Sequence, residues 1–229
     1  MTAVWCAGLP RLRRLIGHVL VIIGLSLALA GCTQRASWRE KLTVHFTTPD
    51  GPVSVSRVLD VDFTEGRELG PIYSPDDIHL IGEALVAPLG DTQLFIPIDR
   101  ISGVRIWYAR SALKLAVGTL AAHDLPGTQA QRTPLDLPRN LWPVMVTFTD
   151  PADPTSLALV DPGALDATFG PGYAIERLTI QTTNDPVTQG RVVAALPWIH
   201  DPIARIGGDQ RREYDDPLNG LFAWHFVKD

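Results

Sequence analysis

Between Lys41 and Phe63 the chain alternates apolar and polar residues twice, with a turn in between, and this constrains its fold more than any other feature. Leu42, Val44 and Phe46 are apolar while Lys41, Thr43, His45 and Thr47 are polar. This is the period-two signature of a strand with one buried face. Val53, Val55, Leu59, Val61 and Phe63 then oppose Ser54, Ser56, Asp60 and Asp62. Thr48-Pro49-Asp50-Gly51-Pro52 separates the two runs. Proline presets φ for a turn and glycine accepts positive φ, so the pattern predicts a hairpin whose strands offer their apolar faces to one core.

The same signals recur downstream. Segments 78–86 and 94–98 flank Gly90-Asp91 and predict a second hairpin, with Pro97 assigning the latter strand to a sheet edge. Segment 104–108 extends it, and 109–121 has a helical spacing of apolar residues that includes Leu113 and Ala116. Four prolines between His123 and Pro143 predict a surface connection, and 122–143 is where a division into lobes would fall. Strands resume at 144–148. Asp161 before Pro162 predicts the start of a helix of about two turns, stopped by Gly170-Pro171. Segments 175–182 and 191–196 read as strands around Asn184-Asp185-Pro186, and Phe222, Trp224 and Phe226 alternate near the end. The expected fold is mainly β: a single antiparallel, β-sandwich-like domain over 38–229 with one or two short helices.

The start of the chain has a different character. Arg11, Arg13 and Arg14 precede an apolar run over 15–30, with no acidic residue before Cys32. That run is shorter than the ~20 residues needed to cross a hydrocarbon core, so 1–31 reads as a secretory signal peptide. It ends in Leu29-Ala30-Gly31-Cys32, which resembles the lipobox of bacterial lipoprotein precursors. The resemblance implies cleavage between Gly31 and Cys32 and a diacylglyceryl thioether on Cys32. One acyl chain binds a membrane marginally and two or more hold it stably, so the expected product is membrane-resident. Thr33, rather than an aspartate, follows the cysteine. By resemblance to sorting in Gram-negative bacteria, this implies the outer membrane, facing the periplasm. Residues 32–37 form a short tether that reaches at most ~20 Å.

Loss of the signal removes three arginines and no acid, so the charge count becomes 17 − 25 = −8. An acidic chain without a basic run is disfavoured as a nucleic-acid binder. Cys6 leaves with the signal and Cys32 carries the lipid, so no internal disulfide is expected. About 200 residues suffice to bury a core without one.

Several segments resemble those of uncharacterised proteobacterial lipoproteins. They are Trp38-Arg39 with Lys41-Leu42-Thr43-Val44, Ala152-Asp153-Pro154-Thr155-Ser156, Val160-Asp161-Pro162, Phe169-Gly170-Pro171-Gly172, Pro186-Val187-Thr188-Gln189-Gly190 and Leu196-Pro197-Trp198. The stretch from Glu65 to Trp142 does not share the resemblance. It implies export and one fold, and it carries over no catalytic residue.

Candidate chemistry is sparse. Asp76, Asp77, His79, His200, Asp201 and His225 are the residue types a metal needs, but no two histidines stand at ligand spacing. Asp60 and Asp62 share a strand face, as a Ca²⁺ site or an acid–base pair would require, although a solvated face explains them as well. No Gly-x-Ser-x-Gly elbow surrounds Ser102 or Ser156. Phe169-Gly170-Pro171-Gly172 and Gly207-Gly208-Asp209 suit turns, and Trp107, Trp142, Trp198 and Trp224 suit a core better than a ligand groove. No catalytic residue, metal site or cofactor is assigned. The preferred expectation is a non-enzymatic envelope lipoprotein that binds or scaffolds a protein, glycan or lipid. The alternative is a hydrolase or metal-dependent periplasmic enzyme built on Asp60, Asp62, His200 and Asp201.

Overall fold

The long hairpin forms as the alternation requires. In the computed structural model, which describes residues 35–69, 72–74, 77–98, 113, 116, 125–208 and 216–229, strand β1 (Arg35–Thr48) pairs with β2 (Gly51–Thr64) along its whole length. The register runs from Arg35↔Thr64 to Thr48↔Gly51. Gly51 sits at φ +115°, and the Thr48 hydroxyl donates to its carbonyl at 2.7 Å, closing the turn. The signal segment, Gly31, Cys32, Asp76, Ser102, Trp107 and the 104–108 strand lie outside the described residues. Of the 109–121 helix only Leu113 and Ala116 are described; both are helical and pack on the core.

The chain continues through β3 (Arg67–Leu69), β4 (Ile72–Ser74), β5 (Asp77–Glu83), β6 (Leu85–Leu89), β7 (Thr92–Ile96), α1 (Leu125–Ala130) and β8 (Leu135–Asp136). It then forms β9 (Val146–Phe148), β10 (Leu157–Leu159), α2 (Leu165–Phe169), β11 (Ala174–Thr183), α3 (Arg191–Ala195) and β12 (Val227–Lys228). A six-stranded sheet has the order β12-β5-β2-β1-β11-β8 and a four-stranded sheet the order β10-β9-β7-β6, while β3 and β4 form a separate pair. Neither main sheet closes into a barrel, and every pairing is antiparallel. The mainly β, antiparallel expectation therefore holds, with three short helices among the described residues.

Two apolar clusters explain the layering. Leu42, Val44 and Phe46 of β1, Leu59, Val61 and Phe63 of β2, and Leu178 and Ile180 of β11 pack against Leu85, Ala87, Leu89, Leu94 and Ile96 of the small sheet. The opposite face of the small sheet carries Val86, Phe95, Val146, Phe148 and Leu157, which pack against Val192, Leu196, Ile199, Leu218, Leu221 and Phe226. With both faces covered, its strands need no polar alternation, which is why Leu85-Val86-Ala87 and Leu94-Phe95-Ile96 are unbroken apolar runs. Arg35–Asp229 make up one compact unit.

Several local expectations are overturned. The 78–86 strand is interrupted at Ala84: pairing with β2 ends at Ile81, Gly82 bends the chain at φ +134°, Gly82 and Glu83 pair with β12, and β6 then enters the small sheet. The Gly90-Asp91 turn is present, but β7 is interior, between β6 and β9, and Pro97 falls just after it. Within the 123–143 stretch, the described residues from Leu125 on are mostly exposed, as a surface connection requires, but Leu125, Leu137 and Trp142 pin it into the main core. Asp161 caps a turn instead of a helix, accepting from the Gly163 amide at 2.8 Å, and α2 begins only at Leu165. Residues 191–195 are helical, which puts Val192 and Leu196 on one buried face and leaves Val193 exposed. Ala223–His225 form a 3₁₀ turn rather than a strand, with the Phe222 amide donating to His225 Nδ1 at 3.0 Å.

Candidate functional site

At one end of the large sheet β1 outruns its neighbour. Pairing with β11 begins at Arg39↔Thr183, so residues 35–38 of β1 have β2 on one side and no β11 partner on the other. The last residues of α1 and those just after it take that place. Gln129 Nε2 donates to the Ser37 carbonyl at 2.9 Å, and the Thr182 amide donates to the Gln131 carbonyl at 2.7 Å. The Thr182 hydroxyl donates to the carbonyls of Gln129 and Gln131 at 3.2 and 2.9 Å. Because a side-chain clasp fills the gap less completely than a strand would, a polar groove of about 640 Å³ remains, lined by Ser37, Trp38, Arg39, Asp60, Gln129, Arg132, Thr182, Thr183 and Asn184.

Asn184 organises the cations of this groove. Its backbone carbonyl accepts from Arg39 Nη1 at 3.3 Å, and its side-chain Oδ1 accepts from Arg132 Nη1 at 3.0 Å. Arg39 Nη1 also donates to the Asp185 carbonyl at 3.2 Å. Lys41 Nζ meets Asp185 Oδ2 at 2.8 Å, and that bond, followed by one from Thr183, holds the Asp185 carboxyl below the usual carboxylate range. Asp60 stands opposite Arg39 in register on the solvent face. Trp38 is buried with its indole N–H lacking a hydrogen-bond partner among the described residues.

The residues singled out in the sequence are scattered. Asp60 and Asp62 lie on the outer face of the large sheet, and Asp62 pairs in register with exposed His79, while Asp77 is exposed at the start of β5. His200 and Asp201 lie in an exposed turn next to Ile199, which packs on the far face of the small sheet. The Asp201 carboxylate accepts from the Ile203 amide at 3.0 Å. His225 is buried and stacks on Trp224 at 3.5 Å. Among the described residues no three His, Cys, Asp or Glu side chains come together as a metal would need.

Ser156 donates to the carbonyls of Asp150 and Asp153 and so shapes a turn. Gly207 and Gly208, at φ +72° and +73°, also belong to a turn. Trp142 is in the core and donates to the Leu137 carbonyl at 2.9 Å; Trp198 packs edge-on against Phe148 and donates to the Pro151 carbonyl at 2.7 Å. Trp224 departs from the core expectation, since half of it is exposed. Comparison with protein-family models, with curated proteins and with solved structures returns no match.

The Arg39–Asn184–Arg132 arrangement escaped the sequence reading because its members are distant in the chain. Arg39 falls on the polar face of a strand, which is visible in the alternation; nothing local marks Arg132.

Proposed function

We propose that this chain is a lipid-anchored envelope protein that binds a partner at the membrane surface and does not transform it. The observation behind this reading is where the first strand begins. Arg35 is already in β1, three positions after Cys32 (35 − 32), and a chain extends at most about 3.4 Å per residue. The end of the large sheet that carries Arg35 and Thr64 is therefore held within roughly 10 Å of the acylated residue. The polar groove opens beside that end, so a partner bound there meets the protein and the bilayer together. Thr33 and the resemblance of 29–32 to a lipobox support the same address, the periplasmic face of the outer membrane.

The alternative enzyme has no comparable geometry behind it. Asp60 and Asp62 stand on the outer face of the large sheet, whereas His200 and Asp201 lie beyond the small sheet, with the core between the two pairs. Acid–base or metal chemistry requires its groups within hydrogen-bond or coordination reach of one substrate.

Intact mass and membrane fractionation of the wild type beside Cys32→Ala test the reading. The wild type is expected to gain acyl mass and sediment with the outer membrane, and the variant to do neither. Identical mass chemistry and identical fractionation of the two would overturn it.

A further inference from the structure

We infer that the groove beside the start of β1 takes the phosphate of an anionic lipid headgroup. The inference rests on the anchored reading for the source of its ligand and on the groove's geometry for its chemistry.

The charge pattern carries the argument. On the same outer face Lys41 is neutralised by Asp185 at 2.8 Å, and Arg177 faces Asp136 at 3.5 Å. Arg39 and Arg132 differ: among the described residues each is held only by neutral oxygens, two backbone carbonyls and the Asn184 carboxamide. Their positions are set, and among the described residues neither makes an ion pair. Each uses only Nη1 for these bonds, which leaves Nη2 and Nε as donors. A guanidinium presents its donors in a fixed fork that matches phosphate, so two of them anchored to one asparagine form a prepared anion site. Asp60 is the one carboxylate in the lining, and it makes no ion pair with Arg39. The lining thus sums to +1 in a mature chain of net charge −8.

Location selects the source. Ser37 is five positions after Cys32, so the near wall of the groove lies within roughly 17 Å of the anchor along the chain, close to the headgroup layer. Phosphate diesters are the most concentrated anions there.

The experiment places the acylated full-length protein in nanodiscs of phosphatidylcholine alone, or of equal parts phosphatidylcholine and phosphatidylglycerol. Hydrogen exchange of the amides around Ser37–Arg39 and Gln129–Arg132 is followed with and without inorganic phosphate. Exchange is expected to slow about tenfold in the phosphatidylglycerol discs only, with Arg39→Gln and Arg132→Gln each removing most of that effect. Asp60→Asn is expected to enlarge it. Unchanged exchange at Val44 and Leu178, in the core, shows that a variant remains folded.

Equal slowing in the two lipids overturns the inference, as does slowing that survives both arginine substitutions. Slowing by inorganic phosphate in phosphatidylcholine discs assigns the site to the free anion and overturns the lipid source. Acylation is read first by mass. A chain without acyl groups defeats the anchored reading alone, and the same exchange measurement with added phosphatidylglycerol vesicles still decides the groove.

Discussion

The Glu83 carboxylate, at the end of β5, accepts the backbone amide of Gly190 at 2.6 Å, and its reach extends to the amides of Arg191 at 2.8 Å and Val192 at 3.1 Å. A side chain from the large sheet therefore supplies the acceptors that the first turn of α3 cannot supply for itself. Glu83 is buried, so removing it leaves those donors without water as a substitute. Glu83→Ala is expected to lower stability by about 3 kcal/mol in urea unfolding, and Glu83→Gln, which keeps one oxygen, by about half of that. A loss below about 1 kcal/mol for the alanine variant would mean that α3 is held by Val192 and Leu196 alone.

Gly82 and Gly51 separate two reasons for glycine. Both have positive φ, but an added Cβ at Gly51 meets nothing within 4 Å, whereas at Gly82 it would lie 2.9 Å from Leu59 Cδ2 and 3.2 Å from the Val58 carbonyl oxygen. Gly51→Ala is expected to lose about 1 kcal/mol, from backbone strain. Gly82→Ala adds overpacking of the main core and is expected to lose about 3 kcal/mol. Thermal or urea unfolding of the pair checks the difference; equal losses would show that β2 yields to the added methyl.

Arg57 points into the core side of β2, between Val55 and Leu59 in the alternation, and is buried. Its Nη1 donates to the carbonyls of Ile96 and Pro97 at 3.0 and 2.9 Å, and its Nη2 to that of Ile98 at 3.2 Å. It thereby fastens the large sheet to the chain leaving β7. Arg57→Met preserves bulk but strands the carbonyls, and is expected to lose about 3 kcal/mol. Arg57→Lys, a point charge without the fork, is expected to recover less than half of that. Full recovery by lysine would show that charge, and not the fork, is what the site requires.

How much could be read from the sequence depended on what covers each strand. The β1–β2 hairpin has one wet face, so alternation revealed its strands, and Pro49-Asp50-Gly51 revealed its turn. The small sheet is covered on both faces, so 78–86 read as one continuous strand and the switch of sheet at Ala84 was hidden. Residues 191–196, with Val192 and Val193 adjacent, favour a strand locally; the helix forms because a carboxylate more than a hundred positions earlier caps it. The groove was the least visible feature. Arg39 and Arg132 come together only through Asn184, and no local spacing encodes a meeting of three distant segments.

His45 lies on the solvent face of β1, with Nδ1 2.8 Å from the Ser54 hydroxyl and Nε2 3.4 Å from the Thr179 hydroxyl. Partial burial, and then the positive charge of Arg177, lower its pKa below the ordinary value, against the weaker opposing pull of Glu176 and Asp136. A lowered pKa means that the native state binds this proton less readily than the unfolded chain. Between the lowered value and the unfolded value of about 6.5 the unfolded state therefore holds more protons, and stability rises with pH. The contribution is intact above that window and is lost as pH falls through it, with a slope of at most about 1.4 kcal/mol per pH unit, because one proton is involved. His45→Gln is expected to flatten the curve of urea midpoint against pH in this window while leaving the alkaline side parallel to wild type. Curves that stay parallel throughout would assign the acid sensitivity to other groups.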